Sequence, residues 1–128
     1  MKAQLAQVLE FHKAFQIPHR DSPNGKLQPD EFRLRHALLE EENTEYLEAC
    51  EKGDLIEVAD ALGDMLYVLC GTMITHGMQH KIEEVFSEIH RSNMSKLDAD
   101  GKPIYREDGK VLKSDLFFRP SLGKYFDE

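Results

Sequence analysis

The chain has 128 residues, 41% hydrophobic and 31% charged, a globular rather than a disordered composition. At roughly 150 residues per domain, one domain is expected, spanning residues 1–128. Lys and Arg number 16 against 24 Asp and Glu, and the net charge of −8 argues against non-specific binding to nucleic acid or to anionic membrane.

The pattern predicts an all-α chain: four helices over about residues 2–97, then a short hairpin-like tail over 98–128. The first helix runs from about Lys2 to Phe15, with Leu5, Val8, Leu9, Phe11, His12 and Phe15 on one face. Its opening residues lack the apolar stretch of a signal peptide. Pro18, Pro23 and Asn24-Gly25 mark a loop. Pro29 and Asp30 open the second helix, which Gly53 closes. Asp54 is the expected N-cap of the third helix, with Glu57 as its capping-box partner.

The third helix reaches about His76 and is apolar almost all round. Such a helix needs cover on most sides, and this chain has few helices to supply it, so a homodimer or homotetramer is expected. Glu57, Asp60 and Asp64 interrupt its apolar run, which argues against a membrane span. The fourth helix runs from about Lys81 to Lys96, with Ile82, Val85, Phe86 and Ile89 as its buried stripe. Asp100-Gly101 and Asp108-Gly109 are turn signals flanking two short extended segments. Cys50 and Cys70 form neither a disulfide framework nor a zinc cluster; both read as small buried hydrophobes in a reduced, cytoplasmic setting.

The chemistry lies in two acidic groups on consecutive helices. Glu41, Glu42 and Glu45 are three or four apart, and so are neighbours on one helix surface. Glu57, Asp60 and Asp64 follow at i, i+3 and i+7. A Glu-rich run is commonly a solvated face. Asp60 and Asp64 are harder to place that way, because they sit in an apolar helix and a buried carboxylate without a partner is expensive. Two unit charges about 6 Å apart repel by roughly 3 kcal/mol at an effective dielectric near 20. Few internal cations are available to offset this, so a divalent metal is the economical answer. Carboxylate oxygens suit Mg²⁺, or Mn²⁺, better than Zn²⁺. Such a site points to phosphoryl or pyrophosphoryl chemistry. The chain has neither a GxxxxGK[ST] loop nor GxGxxG.

Leu38-Leu39-Glu40-Glu41-Glu42-Asn43-Thr44-Glu45, followed by Glu57-Val58-Ala59-Asp60, resembles the EExxE…ExxD signature of the all-α nucleoside triphosphate pyrophosphohydrolases, the MazG-like superfamily. His90 to Leu97 and the trailing Asp-Gly-Lys turns resemble its phosphoribosyl-ATP pyrophosphohydrolase-like subgroup. The resemblance implies a single MazG-like helical domain in a four-helix bundle. It implies Mg²⁺ held by Glu41, Glu42, Glu45, Glu57 and Asp60, and cleavage between the α and β phosphates of a nucleoside triphosphate. Asp64-Met65-Leu66-Tyr67 also fits the context of the family aspartate, with Ala61 three residues earlier, so Asp64 is carried as a further ligand candidate. Glu41, Glu42 and Glu45 are the candidates for handling the attacking water.

Asn93 and Lys96 match residues that family members use on the triphosphate, although Lys96 equally suits a helix C-terminus. Arg91 and Lys110 are further phosphate candidates, and His12 a candidate lining of a base pocket. For these three, surface or core roles compete. Two rival readings stay open: action on phosphoribosyl-ATP with the same metal site, and a non-enzymatic helical module whose acidic stripe docks a basic partner.

Overall fold

The structure is a computed structural model that describes residues 1–126. It is all-α: four helices, one two-stranded ribbon and a terminal 3-10 turn. The chain forms two compact units, residues 1–80 and 81–128.

The first unit holds α1 (Lys2–Ala14), α2 (Pro29–Lys52) and α3 (Leu55–Thr75). Each boundary has a local cause. Pro29 occupies the first turn of α2, where a missing N–H costs nothing. Gly53 ends α2 in the left-handed conformation at φ 65°. Asp54 caps α3, its carboxylate accepting from the Ile56 and Glu57 backbone N–H groups at 3.0 and 3.1 Å. Glu57 instead faces Lys52, with Nζ to Oε2 at 3.3 Å, so the capping is one-sided.

α3 is the central element, packing against both α1 and α2. It buries Ala61, Cys70, Gly71, Ile74 and Thr75, while α1 contributes Leu5, Val8 and His12. The loop between α1 and α2 is bound to the C-terminal end of α3. Arg20 N–H donates to the Ile74 carbonyl at 3.0 Å, and Asn24 N–H to that of His76 at 2.8 Å. The Arg20 guanidinium donates to both Glu31 oxygens at 2.9 Å and to the Thr75 carbonyl at 2.7 Å.

Among the described residues, α3 is long and apolar enough to cross a membrane by length and composition alone. Within this chain it is not covered all round: Leu55 and Ile56 are 77% and 76% exposed, and Leu62, Leu66 and Leu69 are exposed with them. Cys70 is buried as expected, but Cys50 lies on the exposed side of α2.

The second unit holds α4 (Ile82–Met94), β1 (Ile104–Tyr105), β2 (Val111–Leu112) and the 3-10 turn Gly123–Tyr125. The hairpin is antiparallel, with Ile104 opposite Leu112 and Tyr105 opposite Val111. The expected apolar stripe of α4 is not the covered one: Phe86 is 70% exposed, and the buried residues are Glu88 and Ser92. The reason is the returning tail. Ser92 Oγ donates to the Phe118 carbonyl at 2.8 Å, and Ser121 N–H donates to Glu88 Oε2 at 2.7 Å. Residues 88 and 92 share a face four apart, so a backbone rich in polar groups covers them and leaves Phe86 outside.

Candidate metal centre and adjoining cavity

Glu42 and Glu45 project from α2, three residues apart, and Asp64 projects from α3 beside them. One carboxylate oxygen from each lies within 4.8 Å of the others. No ion pair reaches any of the three among the described residues. Glu42 Oε2 is buried and has no hydrogen-bond partner. Its carboxyl is pushed up to about 7, first by burial, then by hydrogen bonding to Glu45 and by the charges of Glu45, Asp64 and Glu41.

An orphaned buried oxygen within a converging all-oxygen donor set is what a hard divalent cation satisfies. The residues present therefore fit Mg²⁺ or Mn²⁺.

The remaining acids lie around this point. Glu57 and Asp60 line a neighbouring cleft of about 260 Å³ that Glu45 also borders. Glu41 borders a further groove with His36, Glu40 and again Glu45. Three acids at i, i+3 and i+7 share one helix face, but the first and last are roughly 10 Å apart along the axis. Asp64 therefore meets Glu42, while Glu57 stands further along the face near Lys52.

The cluster also borders a cavity of about 300 Å³. Glu42 and Asp64 form its acidic wall; Phe11, His12, Ile17, Arg35, Leu38, Tyr67 and Val68 form the rest. Phe11 meets Tyr67 edge-on with ring centroids 5.6 Å apart. His12 thus lines the cavity while being almost fully buried, its Nδ1 bonded to the Pro18 carbonyl at 3.2 Å. Burial, with Arg35 nearby, lowers its pKa.

Arg35 and Tyr67 were not among the expected site residues. The signal was present: Arg35, Leu38 and Glu42 follow one helical stripe at i, i+3 and i+7.

The phosphate candidates belong to the second unit. Asn93 is exposed near the end of α4, and Lys96 follows the helix, half-buried. Arg91 is held by Glu88 at 2.8 Å and lies over the Phe118 ring at 4.4 Å. Lys110 is exposed in the hairpin turn, where its carbonyl accepts from Arg106 N–H at 2.8 Å.

A family model for phosphoribosyl-ATP pyrophosphohydrolase matches residues 8–93. The chain belongs to that family, and through it to the all-α nucleoside triphosphate pyrophosphohydrolase superfamily. The family's members are pyrophosphohydrolases, which hydrolyse an acid anhydride. The match takes in the second half of α1, all of α2 and α3 and most of α4, and so contains every residue of the acidic cluster and its cavity. The chain is also 27% identical over 110 residues to Uncharacterized protein L479 of Acanthamoeba polyphaga mimivirus, a match covering 84% of this chain. It spans 41% of the length of that curated relative.

Proposed function

We propose that this protein is a Mg²⁺-dependent nucleoside triphosphate pyrophosphohydrolase that cleaves the α–β phosphate bond and yields a nucleoside monophosphate and pyrophosphate. The observation that carries this reading is the convergence of Glu42, Glu45 and Asp64 within 4.8 Å, with no ion pair to any of them among the described residues, beside an aromatic cavity. Membership of a pyrophosphohydrolase family supports the bond that is cut.

Glu42, Glu45 and Asp64 would hold the metal, with Glu41, Glu57 and Asp60 as further oxygen donors at its margin. When bound, Mg²⁺ supplies charge neutralisation of the triphosphate and of the departing pyrophosphate. The chain's own part is to position and to move a proton. A carboxylate of the Glu41, Glu42 and Glu45 set orients a water on the α-phosphorus and takes its proton. The new bond joins the water oxygen to the α-phosphorus, and the bond from that phosphorus to the bridging oxygen of the β-phosphate breaks. The aromatic cavity receives the base and keeps water from that side of the nucleotide. The family pattern supports Asn93 and Lys96 as phosphate-binding candidates, with Arg91 and Lys110 as secondary cations.

A second reading has specific support from the family match: the substrate is phosphoribosyl-ATP, cut by the same acids. Separated products from a panel of nucleoside triphosphates and phosphoribosyl-ATP, each with Mg²⁺, decide between them. Monophosphate and pyrophosphate from free nucleotides support the first reading. Turnover of phosphoribosyl-ATP alone supports the second. No turnover of either overturns both and favours an acidic docking module.

We also propose that the active form is a homo-oligomer. The support is the exposed apolar side of α3, where Leu55, Ile56, Leu62, Leu66 and Leu69 lack cover within the chain.

A further inference from the structure

The polar groups of the cavity beside the acidic cluster form an ordered pair. Arg35 is 7% exposed. Its Nε donates to Thr72 Oγ1 at 3.1 Å and its Nη2 to the Val68 carbonyl at 2.9 Å. These two bonds use two of the five guanidinium N–H groups, and no carboxylate pairs with Arg35 among the described residues. Its remaining N–H groups are available to an acceptor that a ligand brings.

His12 supplies the opposite polarity. Its Nδ1 lies 3.2 Å from the Pro18 carbonyl oxygen. A carbonyl can only accept, so Nδ1 carries the hydrogen and Nε2 of the neutral ring is an acceptor. Nε2 has no bonded partner among the described residues. Burial keeps the ring neutral. The two groups are adjacent: Arg35 Nη2 and His12 Nε2 stand 2.6 and 2.8 Å from the point a Cβ on Gly71 would occupy. With apolar and aromatic residues and the acids Glu42 and Asp64 they line a cavity of about 300 Å³, near the lower end of small-molecule cavities.

We propose that this cavity selects nucleobases with a lactam edge, Arg35 donating to the base carbonyl and His12 Nε2 accepting from the adjacent ring N–H. The proposal rests on the nucleotide reading above and names its substrate class: guanine, hypoxanthine, uracil and thymine nucleotides. Adenine and cytosine present the reverse order, an amino donor toward Arg35 and a lone pair toward His12. Each mismatch leaves buried polar groups unpaired, which predicts discrimination on the order of tenfold to a hundredfold.

The test has two arms. Turnover of dGTP, dITP, dUTP and dTTP is compared with that of dATP and dCTP. Calorimetric binding of dGMP, dUMP, dAMP and dCMP with Mg²⁺ reads the cavity without needing catalysis. Preference for the lactam bases in binding is the expected result. If it appears while no triphosphate is cleaved, the hydrolase reading fails and the base assignment stands. Equal binding of the four monophosphates, binding of none, or preference for the amino bases overturns the assignment.

Arg35→Gln, with its helical signal confirmed, should bring the lactam-to-amino ratio toward unity, because the amide offers an acceptor as well as a donor. Should that variant fail to fold, His12→Phe removes the acceptor while keeping a ring, with the same expected collapse. A folded variant of either kind with an unchanged ratio contradicts the proposal, since a purely structural role would lower all substrates alike.

Discussion

A Cβ on Gly71 would lie 2.6 Å from the Arg35 guanidinium, which would have to shift to admit it. The glycine lets Arg35 on α2 lie across α3 and reach the Val68 carbonyl one turn earlier. Gly71→Ala should therefore destabilise the first unit by about 1–3 kcal/mol, the usual cost of overpacking. It should also reduce base discrimination more than metal binding. Urea titration with and without Mg²⁺ measures the first effect; an unchanged midpoint would contradict it.

The Glu42 carboxyl, raised to about 7, makes metal binding depend on pH. The folded chain holds this proton more tightly than the unfolded chain, where the group ionises near the ordinary 4.5. Its contribution to metal-free stability is thus fully present below about 4.5 and is lost as pH rises through about 7. A cation competes for the same oxygen, so the Mg²⁺-induced rise in melting temperature should grow between pH 6 and 8. Glu42→Gln should flatten the pH dependence without metal and abolish most of the response to metal. Thermal melts across that range check both.

The second unit has its own acid sensitivity. Arg91, with the Ser121 N–H, holds the Glu88 carboxyl down at about 2. A depressed carboxyl contributes stability above the unfolded value of 4.5 that is lost as pH falls through about 2. Glu88→Gln should loosen the tail at neutral pH, seen as faster amide exchange over residues 114–126. The first unit should be unaffected. Unchanged exchange in the tail would remove Glu88 from its anchoring role.

Much of the fold was legible because its punctuation is local. Pro29, Gly53 and Asp54 set helix boundaries through their own backbone and side-chain chemistry, and Asp108-Gly109 marks the turn of a real hairpin. What depends on a distant segment was not legible. The burial of Glu88 in place of Phe86 follows from the path of residues 114–126. The exposure of Cys50 follows from which side of α2 meets α3. At the site, spacing placed three acids of α3 on one face but could not say that Asp64, rather than Glu57 or Asp60, meets Glu42 and Glu45. That choice depends on how α2 and α3 are offset along their axes.

The exposed apolar side of α3 predicts association. Light scattering should give a mass of at least twice the 14.8 kDa chain. Ile56→Glu, at a position 76% exposed within the chain, should lower that mass without reducing the helical signal. A monomeric parent protein would contradict the oligomer.

Pyrophosphohydrolase activity is tested by product analysis of nucleoside triphosphates incubated with the protein and Mg²⁺, beside Glu42→Gln and Asp64→Asn. Monophosphate and pyrophosphate in equal amounts are expected from the parent protein, with loss on chelation of the metal and at least a hundredfold slower turnover in both variants, the order expected for removing charged groups from the reacting centre. Diphosphate and phosphate as products, or undiminished turnover in both variants, would contradict that expectation.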